Sequence, residues 1–218
     1  MRAVREEWAQ GDVLVRPGAE PDSAFFIEAG WAAEAAPLSA GRRQIVGFHL
    51  PGDVACLAPS RGLASCALVA LTPLTVSRAP LSAVREALSR GGALADALFW
   101  AISVERRLLG EQVVRNGRRS AKERVGHLLL ELYERQVPIG AAAAGRFPMP
   151  VGQSAIADAL GLSYVHVSRV LTALEKQGLI SRSRGEVVVE NRAGLENLSG
   201  FDAGYLGAVT PACALADG

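Results

Sequence analysis

Short apolar runs punctuate the first third of the chain: VLV at 13–15, AFFI at 24–27, QIVGF at 44–48 and ALVAL at 67–71. Turn-forming residues fall between them, at Pro17-Gly18, Ala40-Gly41 and Pro51-Gly52-Asp53. Brief extended runs broken by turns predict a β-rich domain of the sandwich or barrel kind, not a parallel sheet. Near Leu81 the period changes. Leu94, Leu98, Ile102, Leu109 and Val113 recur at helical spacing, on a helix too long for one small domain to cover. That length predicts pairing with the same helix of a second chain. A second amphipathic helix is expected over 120–136, with Ser120 and Glu123 at capping-box spacing and Val125, Leu128, Leu129 and Leu132 on its apolar side. The stretch GAAAAG at 140–145 reads as a loose connection.

The pattern is most specific at 151–180, VGQSAIADALGLSYVHVSRVLTALEKQGLI. A short helix, a glycine turn at Gly161 and a longer helix beginning after Ser163 make a helix-turn-helix. At 100° per residue, Val167, Val170, Leu171 and Leu174 share one side of the second helix and need burial. Val165, Arg169, Thr172 and Lys176 then face outward, with Tyr164 and Ser168 along one edge. A helix with one basic residue among short side chains fits the major groove of double-stranded DNA. The next segment, SRSRGEVVVEN, predicts a hairpin turning at Arg184-Gly185. Such a hairpin is the wing of a winged helix, with Arg182 and Arg184 placed for phosphate.

Charge sharpens this picture. The net value over 218 residues is only +1. Residues 112–192, however, carry 12 basic and 7 acidic side chains, +5, against −1 for 1–111 and −3 for 193–218. The positive excess therefore sits with the helix-turn-helix, as phosphate neutralisation requires. No apolar run is long enough to predict a membrane span, and the N-terminus MRAVREEWAQGD has no apolar signal core, which predicts a cytoplasmic protein. Three histidines, at 49, 127 and 166, lack ligand spacing. No catalytic triad, metal-spaced cluster or phosphate loop is visible, so an enzyme is not expected and no metal site is assigned.

The order of parts resembles the Crp/Fnr family of bacterial transcription regulators over about residues 10–192. The segments ALGLSYVHVSRVLTALEKQGLI, GRRQIVGFHLPGD (41–53) and GRRSAKERVGHLLLELYER (117–135) carry the likeness, the last two in the manner of the oxygen- and nitrogen-responsive branches. The resemblance implies an α+β chain: a β-roll of the cyclic-nucleotide-binding jelly-roll type (1–88), a dimerisation helix (89–116), a winged helix-turn-helix (117–192) and a C-terminal tail (193–218). It implies a homodimer on a pseudo-palindromic site, with RNA polymerase as a further partner. Arg169 matches the family's guanine-reading arginine, and Ser168 the small residue before it. Where the family commonly has a base-reading glutamate, this chain has Val165, which can pack on a thymine methyl but cannot accept from cytosine. Tyr164 joins these base-contacting candidates. Gln153, Ser154, Ser163 and His166 fall where phosphate contacts are expected, beside Arg182 and Arg184.

The family's known inputs match less well. Cyclic-nucleotide members place a Gly-Glu pair after the turn, where this chain reads Val54-Ala55-Cys56-Leu57. Their Arg-Ser pair aligns with Ala64-Ser65, and Arg61 is several residues away. An iron-sulfur cluster needs four thiolates, and the chain has Cys56, Cys66 and Cys213. A redox pair of Cys56 with Cys66, haem at His49, and an adaptor whose winged helix no longer binds DNA are the alternatives that these residues leave open. Apart from haem, no cofactor is expected.

Overall fold

A computed structural model describes residues 3–57 and 62–207; Arg61 and Cys213 lie outside them. The chain divides into two compact units, with the boundary inside one long helix between Arg106 and Arg107.

The first unit holds eight strands: β1 (Val4–Trp8), β2 (Val13–Val15), β3 (Ser23–Ala29), β4 (Ala32–Pro37), β5 (Arg43–His49), β6 (Val54–Ala55), β7 (Ala67–Ala70) and β8 (Leu74–Pro80). They form two antiparallel four-stranded sheets, ordered β1-β8-β3-β6 and β2-β7-β4-β5. All four apolar runs lie in strands. Four strands have no apolar run to announce them, the two-residue β6 among them. The alanine-rich β4 is buried by its neighbours, β8 alternates buried Leu74 and Val76 with polar residues, and the charged β1 is an edge strand paired along β8. Val15, Phe25, Ile27, Leu68, Leu74 and Val76 make the core between the sheets.

Two glycines with positive φ, Gly91 and Gly92, split the helical region into α1 (Leu81–Arg90) and α2 (Ala93–Arg118). Within the first unit, Leu98 packs with Ala24, Leu57, Leu81 and Val84, and Ile102 lies against that cluster. This corrects the expectation for both residues. Leu98 belongs to the chain's own core with half-buried Ile102 packed against it, and Leu94, Leu109 and Val113 of the predicted stripe are exposed.

The second unit contains α3 (Ala121–Gln136), β9 (Arg146–Pro148), α4 (Gln153–Leu160), α5 (Tyr164–Lys176), β10 (Ile180–Ser183), β11 (Glu186–Val189) and α6 (Arg192–Ser199). The Glu123 carboxylate accepts the Ser120 backbone N–H at 2.6 Å, which holds the start of α3. The predicted hairpin gains a third strand, giving the order β10-β11-β9. At Gly145 (φ +80) the turn into β9 runs so close to β11 that a Cβ would lie 2.7 Å from the Val189 carbonyl oxygen. The expected C-terminal tail (193–218) instead begins within a helix, Arg192–Ser199. Its Leu195 is fully buried over Gly126 of α3, where a Cβ would come within 3.0 Å.

Candidate nucleic-acid interface

Burial of one side of α5 fixes what the other side shows. Val167, Val170, Leu171 and Leu174 are buried, each contributing about 1.5–3 kcal/mol. The Ser163 hydroxyl accepts the His166 backbone N–H at 3.2 Å and caps the helix. Gly161, at φ +63, takes the left-handed conformation that ends α4 and lets the chain turn. Tyr164, Val165, His166 and Arg169 are exposed and Ser168 is half-buried, so the base-reading candidates share one outward surface. Val165, 55% exposed, is an apolar residue with no role in the fold. Among the described residues nothing accepts from the Arg169 guanidinium.

The phosphate candidates divide. Ser154 is exposed at the start of α4, beside Gln153, whose buried Oε1 has no partner among the described residues. Arg184 is exposed at the wing tip, in the two-residue turn closed by the Ser183–Glu186 pairing. Arg182 is used otherwise. Its Nε and Nη2 donate to the two oxygens of Glu175 on α5, at 2.9 and 2.7 Å, and this fork holds the Glu175 carboxyl below its usual range. It clips the wing to the recognition helix, a role that its spacing in the sequence did not suggest.

The back of the motif is held by polar side chains that sequence reasoning missed. Helix α4 ends with carbonyls that its own helix cannot satisfy. The Ala159 carbonyl accepts from Gln112 at 2.6 Å and Asn116 at 3.0 Å, both on α2, and the Leu160 carbonyl accepts from Arg124 of α3 at 3.1 Å. Arg115, 1% exposed, forms an ion pair with buried Glu131 of α3. Only a pairing signal between distant positions could have revealed these contacts, and spacing in one sequence contains none.

In the first unit, His49 is buried with its Nε2 3.7 Å from Glu34. Burial lowers the affinity of His49 for a proton, but the Glu34 carboxylate outweighs it, with Asp53 and Glu105 adding, and the net shift is upward. Hydrogen bonding from His49 lowers Glu34, while burial and the nearby Glu34 charge raise Glu105. Cys56 and Cys66 are both free and half-buried. Burial and the Glu34 charge push the Cys56 thiol up to about 12, which leaves almost no thiolate near neutrality. Among the described residues no group of three or more His, Cys, Asp or Glu side chains could hold a metal ion, and no helix is long and apolar enough to cross a membrane.

Comparisons with known proteins agree with this layout. The description "Crp-like helix-turn-helix domain" matches residues 123–198, and "Cyclic nucleotide-binding domain" matches 5–90. The nitrogen fixation regulation protein FixK of Azorhizobium caulinodans is 36% identical over 165 residues, covering 72% of this chain and 64% of that protein. The chain therefore spans just under two thirds of that relative's length. FixK of Rhizobium meliloti is 32% identical over 177 residues, 81% of this chain and 74% of the relative. The solved structure of FixK2 from Bradyrhizobium japonicum superposes with a TM-score of 0.83 at 29% identity, covering 91% of this chain and 98% of that one. With both halves matched in order and these relatives aligned along most of its length, the chain belongs to the Crp/Fnr family of transcription regulators.

Proposed function

We propose that the protein regulates transcription as a cytoplasmic homodimer that reads a pseudo-palindromic DNA site, one α5 per major-groove half-site, and that it contacts RNA polymerase when bound. The observation that carries this reading is the outward row of α5. Arg169, unpaired among the described residues, stands among Tyr164, Val165 and Ser168 on a helix whose opposite side is fully committed to the core. Arg169 is assigned to a guanine and Val165 to a thymine methyl. Ser154, Ser163, His166, Gln153 and Arg184 are assigned to phosphate.

The dimer rests on α2. Phe99, Ser103, Arg106, Gly110 and Val113 are exposed at alternating spacings of four and three residues, the period of a paired-helix seam, with Val114 beside them. Val113 is 72% exposed. Gly110 has open space where a Cβ would be. A mid-helix glycine costs about 1 kcal/mol relative to alanine, and close approach of a second helix gives it a use.

The input to the β-roll is proposed to be neither a cyclic nucleotide nor an iron-sulfur cluster. Where ribose recognition needs a carboxylate, Ala55 and Leu57 are buried in the two core clusters of the roll, and Ala64-Ser65 offers no guanidinium for a cyclic phosphate. These residues do not fit a cyclic nucleotide. His49 is engaged by Glu34, which argues against haem there, and the raised Cys56 thiol argues against a redox pair with Cys66. A gel shift on genomic fragments at stepped salt concentrations tests the function. Binding should be specific and salt-sensitive, and Arg169→Ala should abolish specificity with the dimer intact; unchanged sequence preference would overturn the assignment.

A further inference from the structure

The segment after α6 crosses the rear of the second unit and ends in a 3-10 turn, Ala203–Leu206, started by the Asp202 carboxylate accepting the Gly204 N–H at 2.7 Å. It lies beyond the residues matched by the helix-turn-helix description, which stop at 198. It is nevertheless built in. Phe201 and Leu206 are buried. The ring of His127, on α3, is sandwiched: Phe201 meets it edge-on at 5.1 Å and Tyr205 stacks on it at 5.9 Å with planes 18° apart. Arg107 of α2 donates to the Tyr205 carbonyl at 2.6 Å.

The Tyr205 hydroxyl donates to Oε2 of Glu131 at 2.8 Å, the oxygen that also takes the Arg115 guanidinium. Arg115 in turn donates through Nη1 to Gln112 Oε1 at 3.0 Å, and Gln112 donates through Nε2 to the carbonyl of Ala159, the next-to-last residue of α4. Each group satisfies one neighbour and is oriented by the next. Amides and guanidinium groups that donate on one side and are held on the other cannot shift singly, and the low dielectric around Arg115 and Glu131 makes a broken link costly. The chain of bonds therefore runs without a gap from the C-terminal segment to the turn that sets the pitch between α4 and α5.

We propose that Tyr205 is a positioning residue for DNA reading, acting through Glu131, Arg115 and Gln112 on the α4–α5 turn. The tyrosine does not touch DNA in this arrangement. It fixes the last donor on Glu131, Glu131 fixes the Arg115 fork, and Gln112 is thereby aimed at Ala159. The C-terminal segment is then part of the reading head, and its attachment sets how well α5 is presented to a half-site. This inference rests on the assignment of α5 to the major groove.

Two measurements on the full chain separate the claim from that assignment. The first needs no DNA. Hydrogen exchange at the Gly161 and Leu162 amides, in the turn, should speed up in Tyr205→Phe, which keeps the ring stack on His127 and removes only the hydroxyl. The same variant should leave exchange in the β-roll unchanged. Unaltered exchange in the turn overturns the relay whether or not α5 reads DNA. The second is a double-mutant cycle of Tyr205→Phe with Gln112→Leu, read as affinity for a selected DNA site and for random duplex, at a temperature where thermal melting shows every variant folded. Tyr205→Phe should weaken specific binding about threefold to tenfold, with the salt dependence and random-duplex binding unchanged, because no phosphate contact is lost. The double variant should be no weaker than the worse single one. Multiplying losses, or an equal loss on random duplex, show a merely structural tail and overturn the proposal. Arg169→Ala, run in parallel, reports on α5 itself: if specific binding survives in that variant, the parent assignment fails, while the exchange result still judges the relay.

Discussion

The Arg182 guanidinium closes a two-bond fork on the Glu175 carboxylate, at 2.9 and 2.7 Å, and so binds the first wing strand to the end of the recognition helix. Both partners are partly exposed, so the pair itself contributes about 1 kcal/mol or less. Its effect is on orientation. Arg184, two residues on, has no such engagement among the described residues. Arg184→Ala is expected to lower the steepness of log K against log salt by about one phosphate per protomer. Arg182→Ala should leave that slope nearly unchanged and weaken specific binding through a loosened wing. Equal slope losses in the two variants would show that Arg182 leaves Glu175 to meet phosphate.

The two kinds of apolar residue on α2 should separate in solution. Val113→Glu places a charge on the exposed stripe and is expected to shift the protein to monomer in equilibrium sedimentation, with its thermal midpoint falling only through the lost association. Leu98→Ala opens a cavity in the first unit's own core and should cost about 2–5 kcal/mol in denaturant unfolding. A monomeric Leu98→Ala variant of normal stability would return that residue to the seam.

Two buried histidines should respond to acid in opposite ways. Burial, with the Arg115 and Arg119 charges, pushes the His127 imidazole down to about 3, against about 6.5 when unfolded. Its contribution to stability is present above pH 6.5 and is lost as the pH falls from there toward 3. His49 is shifted upward, so its contribution is present below pH 6.5 and is lost as the pH rises through its folded value. Imidazole proton resonances followed by NMR should show His127 untitrated at pH 5 and His49 titrating above the ordinary histidine range. A His127 signal moving near pH 6.5 would mean that its packing between Phe201 and Tyr205 is open.

Cys56 should alkylate slowly. A thiol held near 12 exposes roughly one thiolate in 10⁵ at pH 7. Mass spectrometry after brief iodoacetamide treatment should find Cys56 almost unmodified at pH 7.5 in the folded protein and fully modified once it is unfolded. Rapid folded-state labelling, or a Cys56–Cys66 disulfide under mild oxidant, would support the redox alternative.

How much of this was legible in the sequence follows from the range of the forces involved. The faces of α5, its Ser163 cap and the Gly161 turn are set within a dozen residues, and periodicity alone places Val167, Val170, Leu171 and Leu174 inward and Val165 and Arg169 outward. The strand β1 could not be read this way, because VREEW is held by pairing with β8 about seventy residues later and not by its own pattern. On α2 the helical period was visible, but the assignment of each apolar residue depends on which side the β-roll occupies. Leu98 and Ile102 share the helical period of Val113, and nothing in that period singles out Phe99 or Gly110. The contacts of Gln112, Arg115 and Tyr205 lie further out of reach. They join segments 16 to 74 positions apart through polar groups that have no periodic signature.

Selection of bound sites from a random duplex pool by the wild-type protein and by Val165→Glu is the most direct test of the central claim, that this is a dimeric reader with a familiar docking and an altered specificity. The wild type should enrich two inverted half-sites about one helical turn apart, each keeping the guanine read by Arg169 and carrying a thymine opposite Val165. Val165→Glu should move that position toward a pair presenting the cytosine amino group. Wild-type sites identical to the family's usual consensus, or a single half-site without its inverted partner, would contradict the account.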